Sequence, residues 1–433
     1  MGKLVDQLVS SEGGFDKALK KLVEGRTPGK NIEVSKVVDE IIESVRSEGD
    51  SALLRYTNEF DHRRIMSPQE LIVTVMDEKK KLAGPLLDSL EKSFKRITAF
   101  HEKQKDYSWE FIDDLGIVLG QKVTPLDSVG IYVPGGTASY PSSVFMNAIP
   151  AMVAGVPEIV MVVPAPAGVV SEAVLGAAEM CGITRVFSIG GAQAIAALAF
   201  GTETVPKVDK IVGPGNMFVA EAKRKLYGTV GVDMVAGPSE IVILCDGTTG
   251  ADWVAMDLMA QAEHDENAQA ILISTEKSFL QDVEKELSLL VEDQPRSEII
   301  LKSLKNNGAL IQARDLGEAI EIVNYIAPEH LELSMQNPRK YLPRIKHAGA
   351  IFIGKYTPES FGDYCAGPNH VLPTSGSARF ASPLGVYDFQ KRTSIIECNA
   401  ENAVEMGSVA FNIANAEGLT AHARSALMRT NSK

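Results

Sequence analysis

Cysteine is scarce: Cys181, Cys245, Cys365 and Cys398 are the only four in 433 residues, and no two form a CxxC pair. That leaves a cysteine zinc knuckle without support and fits a reducing compartment. Long uncharged apolar runs are missing as well. The best candidate, 144–165, carries Asn147, Glu158 and three prolines (Pro150, Pro157, Pro164), which argues against a membrane helix. The opening MGKLVDQLVSSEGG lacks the apolar core of a signal peptide, and Asp6 stands where a myristoylation site needs Ser or Thr. The formal net charge is -13, and no run of Lys or Arg is dense enough to overturn it. A surface of that sign repels nucleic-acid phosphates and anionic lipid. The expectation is a cytoplasmic protein that binds neither nucleic acid nor membrane and acts on a small molecule.

What is present is ordinary globular material, 45% apolar and 23% charged, in a chain long enough to require more than one packed unit. From Ile32 to about Gln104 the apolar residues recur at three- and four-residue steps, which predicts helices, with Ser35 as an N-cap and a break near Gly84-Pro85. From Val129 to about Asp246 the texture changes to β-branched runs (VGIYV, EIVMVV, TRVFSI, KIVG, EIVILC) separated by amphipathic helices. That alternation predicts a parallel sheet covered on both faces. It resumes after 250 with QAILIST, GALIQAR and GAIFIG as strands, and LGEAIEIVNYIAPEHLEL as a helix broken at Pro328. From about 385 onward the chain is polar, then helical, with too few large apolar residues for a core of its own.

Three strand-to-helix turns are rich in glycine: YVPGGTASYPSS from Tyr132, IGGAQA from Ile189 and VGPGNMF from Val212. Such turns aim backbone N–H groups at a bound phosphate. None is a GxGxxG, and each alone is equally a tight βα connection; three at the same strand ends point toward a nucleotide.

Four of the seven histidines keep polar company; His62, His101 and His347 need only solvated or core-satisfied roles. Gln261 and His264 share a helical face in MAQAEHDE and can bind a metal, or simply end a helix among carboxylates. Glu329 and His330 follow Pro328, which predicts a helix start carrying an acid–base pair, although a surface helix start explains them as well. PESFGDYCAGPNHVLPTSG reads as a long ordered loop holding Asp363, Cys365, Asn369 and His370, with Cys365 a buried structural thiol. Glu417 and His422 fall on the core-poor tail, where a histidine can complete a site on a partner subunit.

These segments carry a resemblance. YVPGGTASYPSSVFMNAIPA, FSIGGAQAIAALAFGT, KIVGPGNMFVAEAKR, DMVAGPSE, MAQAEHDENAQAILIST, APEHLEL, ESFGDYCAGPNHVLPTSG and EGLTAHARSA resemble, in order, the motifs of the histidinol dehydrogenase family, from about Tyr132 through Arg424. The resemblance implies oxidation of L-histidinol to L-histidine with two molecules of NAD, the last step of histidine biosynthesis. It further implies a homodimer with one zinc per subunit. By motif position the zinc ligands are Gln261, His264, Asp363 and His422, the last reaching into the partner's site. Ser239, His370 and Glu417 line the substrate pocket together with Gln261, His264, His330, Asp363 and His422, and Tyr132, Gln193 and Asn216 contact NAD. His330 is implied as the base for both hydride transfers, and Glu329 as the group that activates water against the bound aldehyde.

The expected fold class is α/β: two Rossmann-like doubly wound units, a helical N-terminal appendage and a C-terminal dimerisation tail. Residues 1–28 form the appendage, 29–131 with 239–384 the first unit carrying zinc and the catalytic pair, 132–238 the second unit with the NAD turns, and 385–433 the tail. The alternative is a related zinc- and NAD-dependent dehydrogenase of another small alcohol, such as a sulfopropanediol. A zinc hydrolase using Glu329 leaves the glycine turns unexplained.

Overall fold

The computed structural model describes residues 4–26, 32–135, 140–234 and 237–430. Two six-stranded sheets and one three-stranded sheet organise them. The first large sheet runs, in spatial order, β1 (Asp6–Val9), β12 (Ala309–Gln312), β11 (Gln269–Ser274), β10 (Glu240–Cys245), β13 (His330–Ser334) and β14 (Ala350–Ile353), all parallel. The second runs β2 (Ile72–Val73), β7 (Arg185–Phe187), β6 (Glu158–Val162), β5 (Ser128–Tyr132), β8 (Lys210–Val212) and β9 (Gly231–Val232), parallel except for β2. The winding order is the same in both. After its edge strand β1 or β2, each starts from a central strand (β10 or β5), adds two strands on one side, then reverses and adds two on the other. This is the doubly wound pattern, repeated without a visible sequence repeat.

The strands read as unbroken apolar runs because helices cover both faces. All six residues of β10 and of β11 are buried. Apolar clusters flank both sheets: Ile241, Ile243, Leu272 and Leu310 on one face of the first, Val242, Leu244, Ile271 and Leu331 on the other. In the second sheet the helix Pro141–Ala154 buries twelve of its fourteen residues and Gly191–Phe200 eight of ten, so neither presents a polar stripe.

Several expectations are corrected here. Residues 6–9 are not part of a separate helical appendage: β1 pairs with β12, and Val5 joins the core of the first sheet. The helices Ile32–Glu48 and Asp50–Phe60 pack through Val38, Ile41, Val45, Ala52 and Leu53 against the core of the second sheet, which also holds β2 and β5. Residues 32–101 and 128–131 therefore group with 140–232 rather than with 239–384. Ser35 lies inside the first turn of its helix, which starts at Ile32. The chain after Pro328 is strand β13, not a helix, since His330, Glu332 and Ser334 alternate with Leu331 and Leu333 across a buried strand.

The third sheet is antiparallel, in the order β15 (Gln390–Glu397), β4 (Val118–Pro125), β3 (Trp109–Ile112). It leads into a hairpin of the helices Ala400–Ala416 and Thr420–Thr430. These pack closely at Gly407, where an added Cβ would lie 2.5 Å from Thr430 Cγ2 and 2.9 Å from the Ala426 carbonyl oxygen. As the composition requires, this part has almost no interior: Trp109, Phe111, Ile112, Ile396, Val404, Val409, Ile413 and Met428 are exposed. Among the described residues no helix is long and apolar enough to cross a membrane.

Candidate active site

The helix Ala251–Ala262 follows β10 and runs back along the first sheet, so Gln261 and His264, just past its end, lie at the N-terminal edge where β10 and β13 begin. Glu329 and His330 open β13 at that same edge. A short helix, Glu359–Tyr364, follows β14 and brings Asp363 and Glu359 to the same place, one turn apart. Its first backbone N–H, that of Glu359, donates to Glu332 Oε1 at 2.8 Å, which ties the helix to the polar face of β13. The stretch expected as continuous loop thus contains a helical turn, and Cys365 at its end is exposed rather than buried.

The loop beyond is fixed to the second unit by a specific defect. Pro150 sits inside the helix Pro141–Ala154, and without an N–H it leaves the Met146 carbonyl unpaired. Asn369 Nδ2 donates to that carbonyl at 2.6 Å, while Asn369 Oδ1 accepts from Val371 N at 2.8 Å. A buried orphan carbonyl costs about 1–3 kcal/mol, so the contact stabilises the loop and the helix together. His370, next in sequence, bonds through Nδ1 to the Asp363 carbonyl oxygen at 3.1 Å.

His330 defines the chemistry. Its Nδ1 lies 2.9 Å from the Glu240 carbonyl oxygen. A carbonyl only accepts, so Nδ1 carries the proton and Nε2 is left as the lone-pair nitrogen. Nε2 is buried and has no hydrogen-bond partner among the described residues. Burial pushes the imidazole pKa down to about 3, with the nearby His264 and His370 acting in the same direction. Neutral and with its tautomer fixed, the imidazole presents a free lone pair at Nε2, while its burial disfavours the protonated form.

Around it stand acids. Glu329 Oε2 accepts from Glu240 N at 2.8 Å. Burial first, and the neighbouring Glu240 and Asp363 carboxylates second, raise Glu329 well above the usual carboxylate range. Burial likewise raises Asp363 to about 7. Glu359 is raised by burial, then by Asp363 and Glu329. His330, Glu359 and Asp363 offer ligand atoms all within 4.8 Å of one another. The Gln261 amide, fully buried, turns its NH2 toward Glu359 Oε1 (2.9 Å) and the Glu240 carbonyl (3.2 Å), the orientation in which both ends meet partners of the right polarity. Its carbonyl oxygen then faces the other way. His264 stands exposed at the rim, its pKa lowered by the surrounding protein. A cation relieves such a concentration of buried carboxyl groups. The oxygen and nitrogen donors of Gln261, His264 and Asp363 suit zinc, and so do the carboxylates around them.

Of the expected residues, Gln261, His264, Glu329, His330, Asp363 and His370 come together, and Ser239 adjoins them beside Glu240. Glu417 and His422 do not: both are exposed on the C-terminal hairpin and stand outside the metal-capable group of their own chain. Three buried acids were missed by sequence reasoning: Glu240, Glu332 and Glu359. The alternation in HLELS and the four-residue step from Glu359 to Asp363 are the signals that could have found the last two.

The expected nucleotide contacts gather at the C-terminal edge of the second sheet. β5 and β8 are neighbours there, where the winding reverses. Gly213 crosses so close to β5 that an added Cβ would lie 2.1 Å from the Tyr132 carbonyl oxygen, and its φ of +112° suits glycine alone. Tyr132 Oη accepts from Gly191 N at 3.2 Å, which joins the first glycine turn to the second. Gln193 is buried, and its Oε1 has no partner among the described residues. Asn216 caps the helix Met217–Leu226, its Oδ1 accepting from Phe218 N and Val219 N. The buried pair Lys223–Asp233 grips Gly213 from both sides, Lys223 Nζ donating to its carbonyl (3.0 Å) and Asp233 Oδ2 accepting from its N–H (2.8 Å). Residues 136–139 of the first turn lie outside the described residues.

Comparison with known proteins agrees along the whole chain. The family model for histidinol dehydrogenase matches residues 25–430. A histidinol dehydrogenase of Neisseria meningitidis serogroup A is 56% identical over 418 residues, covering 96% of this chain and 97% of its own. That of Hydrogenovibrio crunogenus is 54% identical over 428 residues, covering 98% and 99%. The crystal structure of histidinol dehydrogenase from Elizabethkingia anophelis superposes with a TM-score of 0.92 at 32% identity, covering 99% of this chain and 98% of that one.

Proposed function

The chain belongs to the histidinol dehydrogenase family, and on that premise we propose that it oxidises L-histidinol to L-histidine through bound L-histidinal. The four electrons pass to two molecules of NAD, in the last step of histidine biosynthesis in the cytoplasm. The observation that carries this reading is His330: a buried imidazole with Nδ1 fixed on a carbonyl beside Glu329 and Glu359, and Nε2 unpartnered among the described residues.

Gln261, His264 and Asp363 would hold zinc, with His422 of the partner subunit as fourth ligand and Glu417 of the partner subunit lining the pocket. Zinc bound there would supply a Lewis-acidic centre that orients the substrate. NAD, held at the turns of Tyr132, Gln193 and Asn216, supplies the hydride acceptor. The homodimer is supported by the exposed apolar side chains of the C-terminal hairpin and the three-stranded sheet, which a single chain leaves uncovered.

The protein's own groups then do the following. His330 Nε2 takes the hydroxyl proton as a hydride leaves the alcohol carbon, giving the aldehyde. Glu329, whose raised pKa makes it a strong acceptor once ionised, takes a proton from water as the water oxygen bonds to the aldehyde carbon, and His330 returns its proton to the carbonyl oxygen, which leaves the imidazole neutral again. The resulting gem-diol gives a proton to His330 and loses a second hydride, which a second NAD would accept, leaving the carboxylic acid, which ionises to the carboxylate by loss of a proton to solvent. Ser239 and His370 line the pocket and hold the substrate. The buried surroundings keep the reactive aldehyde from bulk water.

The test joins NADH stoichiometry to metal content of the purified protein. Two NADH per L-histidinol with one zinc per subunit is expected. One NADH per substrate defeats the four-electron route, and turnover of a sulfonated diol without turnover of L-histidinol moves the substrate to the related dehydrogenases.

A further inference from the structure

The acid–base pair is held by the main chain of a single residue. Glu240 gives its N–H to Glu329 Oε2 (2.8 Å) and its carbonyl oxygen to His330 Nδ1 (2.9 Å). The orientation of that residue's two peptide groups therefore sets both the carboxylate and the imidazole. Glu240 opens β10, so strand pairing fixes it from one side only: Glu240 lies opposite Gln269 of β11, whereas pairing with β13 starts one residue later, at Ile241 and His330.

The rest of the hold comes through its side chain. Glu240 Oε2 accepts from Arg26 Nη1 at 2.6 Å, and Oε1 accepts from Ser375 N at 2.6 Å. Arg26 is itself fixed, donating through Nη2 to the Ile326 carbonyl (2.7 Å) and through Nε to the Val23 carbonyl (3.2 Å). The two charged side chains are 4% and 2% exposed. Ser375 Oγ donates to the Arg26 carbonyl (3.3 Å), and the neighbouring Thr374 Oγ1 accepts from Gly237 N (2.6 Å). The guanidinium thus gathers the N-terminal arm, the start of β10, the end of the helix Leu316–Ile326 and the loop that follows His370. A well-packed apolar pair fills such space at less desolvation cost, so a buried, fully bonded ion pair calls for a reason beyond stability.

We propose that Arg26 and Glu240 are positioning residues for the oxidation: their buried charge pair fixes the Glu240 backbone that orients Glu329 and His330. The proposal rests on the reading of Glu329 and His330 as the acid–base pair. It makes the N-terminal arm, far from β10 in sequence, part of the catalytic apparatus.

The test uses the full-length, zinc-loaded enzyme with saturating NAD, and compares Arg26→Met, Arg26→Lys and Glu240→Gln with wild type and with His330→Asn. Arg26→Met is expected to lower kcat about 100-fold while KM for L-histidinol moves less than about threefold, since small displacements of reacting groups cost rate rather than binding. Arg26→Lys keeps the charge but loses the fork, and is expected to recover kcat to within about tenfold of wild type. Glu240→Gln keeps the shape and is expected to lose about tenfold in kcat with unchanged zinc content. The 15N signals of the His330 ring, assigned by their absence in His330→Asn, should report the Nδ1–H tautomer in wild type and a mixture of tautomers in Arg26→Met. A pair that serves only the fold predicts a lowered Tm with wild-type kcat and tautomer, and that result overturns the proposal. Should Arg26→Met fail to fold, Glu240→Gln decides: wild-type kcat in that folded variant overturns it equally. If His330→Asn itself turns over normally, the acid–base reading falls instead, which separates the two failures.

Discussion

The two large sheets share one winding order and carry the candidate site residues at opposite edges. In the second sheet the expected cofactor contacts sit where the strands end, at the reversal between β5 and β8, the usual ligand crevice of doubly wound sheets. In the first sheet the acids and the histidine sit where β10 and β13 begin. The materials differ too. The second sheet presents glycine turns, backbone N–H groups and small-residue helices, with Lys223–Asp233 as the charge pair gripping a turn. The first crowds Glu240, Glu329, Glu332, Glu359 and His330 into its interior. Recognition of a phosphate-bearing ligand needs close backbone approach and little titratable chemistry; proton transfer needs side chains whose pKa values burial can move. One topology serves both because loops and strand ends, not the sheet itself, carry the function.

That division can be broken from either side. His422→Ala is expected to have the larger effect: if His422 is the proposed fourth ligand, zinc affinity should fall at least about 100-fold. NAD affinity, belonging to the other sheet, should hold. Mixing His422→Ala with Asp363→Ala subunits is expected to restore about half of wild-type activity per dimer, since one site then draws every ligand from intact chains. Metal analysis and activity of the mixed dimers check this; no recovery means that the tail serves its own subunit. Gly213→Ala probes the other sheet. A Cβ cannot fit 2.1 Å from the Tyr132 carbonyl, so the turn must shift. The expected result is a rise of about tenfold in KM for NAD with zinc content unchanged, since backbone strain of this kind is worth on the order of 1–3 kcal/mol. Loss of zinc from Gly213→Ala would show that the two edges are not separable.

Much of the fold is legible in the sequence where burial is two-sided. The runs VGIYV, EIVMVV and EIVILC became β5, β6 and β10, because a strand covered on both faces must be apolar throughout. Legibility failed where the environment was mixed. HLELS hides a strand because one buried face is polar, and DQLV at 6–9 is too short to show a period. The antiparallel pairing of β15 with β4 joins segments more than 260 residues apart, beyond any local signal. Within the site, the residues that stood out were those with unusual neighbours in sequence: Gln261 with His264, Glu329 with His330. Arg26 and Glu240 did not, since a lone Arg and a lone Glu look like solvated charges until the fold places them at 4% and 2% exposure. Asn369 stood out in its loop, but its reason, the carbonyl that Pro150 leaves unpaired, lies on another helix.

The most direct test of the division between a nucleotide edge and a proton-transfer edge is His330→Asn, assayed for kcat, zinc content and Kd for NAD on one preparation. The account predicts a loss of at least about 1,000-fold in kcat with zinc at one per subunit and Kd for NAD within about twofold of wild type. A variant that keeps its rate, or that loses NAD binding along with it, would contradict the account.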